Sequence, residues 1–370
     1  MKVCLVSPET FSWGIVGGFG YVTRTLAREL SKRGIEVSIV TNRRKGQGEV
    51  EILDGAVVYG FPGHHNKPAI IKAILSRLDS INYYRRVDAD IYHSQEASYN
   101  TFVAQHASPN KLHIITFQDP YNAEEWLRIS KVEDRYKLNL TFRARIAAER
   151  RILAETCKRA DALFSQAEFL IPRARCLYWL KQDPVYLPNP VYIPKRNLRK
   201  SPKPQFCFLG RWDPQKRVEA FLSLPKKFPE IKFVAMGQAH NLIRDTTLRN
   251  RFGGLPNLKL TGFVTDEEKS KILEESWALI NTSIREALPV SFLEALSHET
   301  PIISEEDPDS LTTSYGFKVK GGRYEEAIRR LLRDDEWLEK GRAGKRHVEE
   351  VHDSDRVVDM HISAYRKLLE

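Results

Sequence analysis

Two carboxylates eight residues apart, Glu286 and Glu294, stand in the run Ser283-Ile284-Arg285-Glu286-Ala287-Leu288-Pro289-Val290-Ser291-Phe292-Leu293-Glu294. An apolar strand ends near Ser283, and Pro289 suits the first turn of a helix, where a missing N–H costs nothing. Residues Ala287, Leu288, Pro289 and Val290 then form a helix mouth, where unpaired N–H groups and helix polarity favour an anion such as a diphosphate. Glu286 falls in the loop and Glu294 more than one turn inside the helix. Carboxylates placed this way accept hydrogen bonds from hydroxyls, one on a sugar and one on a ribose. Taken singly, the two acids would be a loop charge and a solvated helix residue. The strand–loop–proline–helix setting favours the binding role.

A second group follows another apolar strand: Gly210-Arg211-Trp212-Asp213-Pro214-Gln215-Lys216. Arginine grips phosphate oxygens with two hydrogen bonds and lysine adds a point charge, so Arg211 and Lys216 suit a departing diphosphate. Negative charge grows on the phosphates as a nucleotide leaves, and fixed cations help most there. A third group, Ile15-Val16-Gly17-Gly18-Phe19-Gly20, offers glycines that let backbone approach a ligand closely; a tight turn is the plainer alternative. His93, Gln118 and Asp119 each lie at the end of a predicted strand. A histidine in that place serves either chemistry or structure.

These side chains need a scaffold. An apolar strand at 3–7, a helix carrying Val22, Leu26 and Leu30 at four-residue spacing, a stop at Gly34 and a strand at 35–40 predict a βαβ unit. Further strands are predicted at 57–61, 91–93, 114–117, 162–164 and 185–187. Pro188, Pro190 and Pro194, with Pro202 and Pro204 beyond, then mark a linker. The pattern restarts with strands at 205–209, 232–236, 258–260, 278–281 and 301–304. The expected organisation is an α/β N-terminal domain over 1–190, a second α/β domain over 191–354, and a helix over 355–370 that returns to the first. In open parallel sheets, ligands gather at the carboxyl ends of the strands, which is where the loops at 210–216 and 281–289 fall.

The 370 residues are 42% hydrophobic and 29% charged, the balance of a globular chain with room for two cores. Cys4, Cys157, Cys176 and Cys207 are scattered and include no Cys-x-x-Cys pair, which disfavours structural zinc or a disulfide framework and points to a reducing cytoplasm. The apolar run at the N-terminus is too short for a leader or a membrane span. A net charge of +10 suits anionic partners. Nucleic acid is not the expected one, because aromatic platforms and helix-turn-helix cues are missing. Basic–apolar mixtures at 70–77 and 143–159 allow peripheral contact with an anionic membrane on its inner face, and ordinary amphipathic helices explain them equally well.

These motifs, in this order, resemble the retaining GT-B glycosyltransferases of family 4, the glycosyl transferase group 1 proteins, over residues 3–332. The most specific part is the Glu-x7-Glu element from Glu286 to Glu294. The resemblance implies two Rossmann-like α/β/α domains with a cleft between them. It implies transfer of a sugar, with retention and without a metal or cofactor, from a nucleotide-diphosphate-sugar to a glycan, lipid-linked or small-molecule acceptor. By position, Glu286 would contact the donor sugar, Glu294 the ribose, and Arg211 and Lys216 the diphosphate. Gly210 and the 287–290 mouth would complete the donor site. Gly17 and Gly18 would close over the phosphates beside the acceptor, and Thr265-Asp266-Glu267-Glu268 would lie beside the base. Gln118 and His93 would border the reacting carbon.

Three positions depart from the family pattern: Ala287 and Glu299 stand where glycines are usual, and Gln118 stands where a histidine is usual. The last departure motivates a second reading, a catalytically weak relative that binds nucleotide-sugar or glycan.

Overall fold

The computed structural model describes residues 1–7, 17–43, 46–64, 69–133 and 136–370, without the side chains of 69–74 and 76. The chain divides into two compact units. One comprises Met1–Asn122, Asn139–Pro190 and Ser354–Glu370, and the other Ala123–Leu138 and Val191–Asp353.

The first unit is built on eight strands: β1 (Lys2–Val6), β2 (Glu36–Asn42), β3 (Val50–Leu53), β4 (Ala56–Phe61), β5 (Ile91–Ser94), β6 (Leu112–Phe117), β7 (Ala162–Ser165) and β8 (Val185–Tyr186). They lie in the order β3-β4-β2-β1-β5-β6-β7-β8, parallel except for β3 against β4. Both faces of β1 are covered, as a central parallel strand requires. Val3 and Leu5 enter one core with Leu26 and Leu30, while Cys4 and Val6 enter another with Tyr84 and Tyr92. The last helix, Ser354–Leu369, adds Val358, Ile362 and Tyr365 to the core of Val3 and Leu5.

Strand β4 matches the expected strand at 57–61, whereas β3, its hairpin partner, was not among the expected strands. Its signal is nonetheless local: Leu53 pairs with Ala56 across Asp54-Gly55, whose φ angles of 50° and 88° suit a two-residue turn. An Asp-Gly pair between short apolar runs is a hairpin cue in its own right.

The second unit has six parallel strands: β9 (Gln205–Leu209), β10 (Lys232–Met236), β11 (Leu258–Gly262), β12 (Ala278–Asn281), β13 (Ile302–Ser304) and β14 (Gly316–Lys318), in the order β11-β10-β9-β12-β13-β14. From β9 the chain builds outward through β10 and β11, then returns to place β12 on β9's other side. That reversal is the topological switch point, the place where open α/β sheets leave a crevice at the strands' carboxyl ends. Beneath it lies an aromatic core of Phe206, Phe208, Phe221, Phe233 and the fully buried Trp212.

One boundary differs from the expectation. Residues Ala123–Leu138 belong to the second unit, although the sequence reading placed them in the first. Two ion pairs tie this segment to the rest of the second unit: Glu125 pairs with the buried Arg285, and Arg128 pairs with Glu306. No pattern along the chain announces contacts between residues so far apart. Among the described residues, no helix is long and apolar enough to cross a membrane.

Candidate functional site

The loops after β9 and β12 leave the sheet at the switch point and are bonded to each other. Ile284 N–H donates to Gln215 O at 3.0 Å, and the Thr282 hydroxyl reaches Lys216 O at 2.7 Å and Arg217 O at 3.0 Å. Arg217 closes the first loop in the left-handed region, with φ 43°. The loop is also held from the β10 side. Gly210 N–H donates to Met236 O and Trp212 N–H to Gln238 O, so the Trp212 ring anchors in the core.

Glu286 is the centre of this arrangement. Its side chain is only 8% exposed, and Lys216 Nζ donates to both oxygens, at 2.6 and 2.9 Å. Ser283 Oγ donates at 2.6 Å and Asn281 Nδ2 at 3.0 Å. Burial pushes the carboxyl's pKa up, but the Lys216 charge and these hydrogen bonds outweigh it, and the net pKa lies below the ordinary value. Glu286 is therefore held ionised and aimed.

Glu294 lies in the helix Val290–Ser297 and is buried. Its Oε1 stands 2.7 Å from Lys269 Nζ, on the helix Asp266–Glu275. Lys269 was not singled out from the sequence. A partial signal exists: Thr265 and Glu268 form a capping box that starts its helix, which fixes the face Lys269 presents. The Thr265–Glu268 stretch thus has a structural role of its own.

Pro289 is the N-cap of its helix, one position earlier than the sequence suggested, with φ −73° and ψ 131°. Proline carries no N–H, so the donors at the mouth are Ala287, Leu288 and Val290. None of these three N–H groups has an acceptor among the described residues. Arg211, in the loop after β9, is partly exposed, with Nε 3.4 Å from Asp213 Oδ2. Two anchored lysines, two buried carboxylates, a partly exposed guanidinium and a set of unpaired N–H donors thus flank the switch point of one sheet.

The family model for Glycosyl transferases group 1 matches residues 192–340, and that for Glycosyltransferase Family 4 matches residues 16–193. The chain belongs to the family 4, group 1 glycosyltransferases. Its fold is GT-B, as in three solved structures to which it is similar at low identity. Sucrose-phosphate synthase from Thermosynechococcus elongatus is 14% identical, covers 100% of this chain and 99% of its own, and has a TM-score of 0.77. HepE from Anabaena, in complex with UDP and glucose, is 12% identical over 99% of each chain, with a TM-score of 0.72. WaaG, a glycosyltransferase involved in lipopolysaccharide biosynthesis, is 15% identical over 97% of this chain and 99% of its own, with a TM-score of 0.67. No curated protein matches.

The remaining expected residues of this glycosyltransferase separate into two kinds. Gly17 is the N-cap of the helix Gly18–Lys32, so Gly17 and Gly18 do stand at a helix mouth; Gly14, Ile15 and Val16 of that loop lie outside the described residues. The side chains of 70–74 in the basic–apolar stretch also lie outside them. His93 requires a correction. It is fully buried, its Nδ1 is 2.7 Å from the Tyr365 hydroxyl, and its Nε2 is 2.7 Å from Thr116 Oγ1. Burial, reinforced by His361 nearby, drives its pKa well below the ordinary value. Both ring nitrogens are committed to structure, and His93 ties β5 to β6 and to the last helix.

Gln118 is also buried, but within a polar network. Gln95, Gln118 and Gln166 are each the first residue past β5, β6 and β7, adjacent strands of the sheet. Gln118 Nε2 donates to Asn189 Oδ1 at 2.9 Å, and Asn189 Nδ2 donates back to Gln118 Oε1 at 2.7 Å. Gln166 Nε2 donates to Gln118 O at 2.5 Å. Glu96 accepts the N–H groups of Ala97, Gln118 and Asp119 at 2.9, 3.1 and 2.6 Å. Burial still pushes its carboxyl up to about 8 against those donors. Glu96, Gln166 and Asn189 were missed in the sequence, although a repeated glutamine directly after successive strands was there to be read.

Glu299, standing where the family has glycine, adopts φ 56° just past the helix Val290–Ser297, the backbone conformation that a glycine would provide more cheaply. Among the described residues, no group of three or more His, Cys, Asp and Glu is placed to hold a metal ion.

Gly237 positions the site from behind. Its φ is 114°, and a Cβ there would lie 2.0 Å from Gly210 O. Gly237→Ala is expected to displace the Gly210–Trp212 backbone and to lower unfolding free energy by about 2–4 kcal/mol. Chemical denaturation checks this, and a wild-type midpoint would refute the close approach.

Proposed function

We propose that this glycosyltransferase moves a sugar from a nucleotide-diphosphate donor to a glycan, lipid-linked or small-molecule acceptor, with retention and without a divalent metal. The observation that carries the reading is Glu286, ionised by Lys216 and placed beside the free N–H groups of Ala287, Leu288 and Val290. In the proposed complex, Glu286 accepts hydroxyls of the donor sugar and Glu294 accepts the ribose. Arg211, Lys216, Gly210 and the helix mouth hold the diphosphate.

The bond from the sugar's anomeric carbon to the diphosphate oxygen breaks, and the acceptor oxygen bonds to that carbon on the same face. The acceptor's proton passes to the departing phosphate oxygen. The protein's contribution is orientation plus fixed positive charge where the phosphate's charge grows. HepE, solved with UDP and glucose, supports a nucleotide-sugar by analogy. Anomeric coupling in the product, read by NMR, tests retention. Activity unaffected by EDTA is expected, and loss of activity restored by manganese would overturn the metal-free mechanism.

Binding is tested by thermal shift against nucleotides and nucleotide-sugars. A ligand at a hundredfold excess over its Kd adds about 2.7 kcal/mol to stability. Glu294→Ala and Arg211→Ala each remove charge-assisted hydrogen bonds and should weaken binding roughly ten- to hundredfold, relative to each variant's own unliganded melting temperature. An undiminished shift in either would remove that residue from the site.

The Gln118–Asn189 amide pair favours a second reading, a relative that binds donor or glycan with little turnover. Both faces of the Gln118 amide are already engaged within the first unit. Mass-spectrometric detection of transfer or donor hydrolysis decides against it.

A further inference from the structure

A separate cavity of about 510 Å³ lies in the second unit, between the helix Ala123–Ser130 and the carboxyl ends of β13 and β14. Five cations line it: Arg128, Lys131, Arg217, Lys318 and Lys320. Three of them meet carboxylates of the loop after β13. Arg128 pairs with Glu306, Arg217 with Glu305, and Lys318 with Asp307 at 3.2 Å. Lys131 and Lys320 are exposed, and their ammonium groups have no acidic partner among the described residues. The cavity thus keeps an excess of two positive charges after its own acids are counted.

The backbone adds to this. Glu305 accepts the N–H of Gly322 at 2.9 Å and is also bonded by the N–H of Gly321. Both glycines have positive φ, 60° and 73°, which turns successive N–H groups toward one point. Consecutive N–H groups converging with a guanidinium form an anion cradle, here holding a side-chain carboxylate. Ile284, Val132 and Val319 supply apolar wall.

None of the lining residues belongs to the donor site proposed above. The two sites are neighbours all the same, because the Glu306 carboxylate accepts the backbone N–H of Glu286.

We propose that this cavity binds a phosphomonoester carried on a saccharide. A phosphomonoester carries between one and a half and two negative charges at neutral pH, roughly the excess the cavity offers. The volume falls in the range of small-molecule sites, and carboxylates beside apolar wall suit sugar hydroxyls and C–H faces. The proposal is independent of which nucleotide the donor carries.

Calorimetric titration of the full chain with glucose 6-phosphate, inorganic phosphate and glucose tests it. Glucose 6-phosphate should bind, inorganic phosphate more weakly, and glucose not at all. The double variant Lys131→Gln/Lys320→Gln removes two exposed side chains' charge without touching a buried pair. It should weaken glucose 6-phosphate binding on the order of tenfold and leave the nucleotide thermal shift as in wild type. The arginine pair, Lys131→Arg with Lys320→Arg, should retain binding. Absence of any glucose 6-phosphate heat in the wild type would overturn the proposal. So would equal affinity in the double variant combined with loss in Arg211→Ala, since that places the phosphate in the donor site. A failed nucleotide shift with intact glucose 6-phosphate binding would instead count against the donor assignment alone.

Discussion

Arg285→Ala is expected to lower the unfolding free energy by about 3–5 kcal/mol, the largest stability loss of any single change considered. The Arg285 and Glu125 side chains are 4% and 7% exposed, with Nε 2.9 Å from Oε1. Removing the guanidinium leaves the Glu125 carboxylate out of water and without the Arg285 charge that helps offset its desolvation. The helix Ala123–Ser130 then loses a principal tie to the second unit. Urea denaturation measures the loss. Replacing both members by apolar residues, Arg285→Met with Glu125→Leu, should recover most of it, because neither charge is then buried. A loss below about 1 kcal/mol for Arg285→Ala would mean that the pair behaves as a surface ion pair.

Lys216→Met should cost about 3 kcal/mol at neutral pH and abolish most transfer activity. The pH dependence carries the sharper test. In the wild type the Glu286 pKa is lowered, so its contribution is present above the unfolded value of 4.5 and is lost as pH falls through the lower folded value. In the variant, burial is no longer outweighed by the Lys216 charge, and the carboxyl rises above its ordinary value. Protonation then relieves the variant as pH falls, while it begins to destabilise the wild type. The difference in melting temperature should therefore be widest near pH 7 and shrink toward pH 4. An unchanged difference across that range would show that Lys216 does not set the ionisation of Glu286.

Local pattern alone accounts for much of what is seen. The alternation of Val3 and Leu5 with Cys4 and Val6 marks a strand buried on both faces, and the spacing of Val22, Leu26 and Leu30 marks the helix that covers it. The eight-residue interval from Glu286 to Glu294, interrupted by Pro289, marks the loop and helix of the candidate site. These signals are short-range: strand alternation, helical period and proline's fixed φ act within a few residues.

Tertiary structure decided what those residues touch. Lys216 lies seventy positions from Glu286, and only the placement of β9 beside β12 brings their loops together. Lys269 reaches Glu294, Arg285 reaches Glu125, and Gln118 meets Asn189 by the same route, through strand order rather than sequence order. His93 shows the converse. Its position at a strand end suggested chemistry, but burial between Tyr365 and Thr116 makes it structural. Residue type and spacing determined the family, the elements and the candidate carboxylates. The charge state and availability of each candidate depend on burial and on distant partners, and those exist only once the sheets have formed.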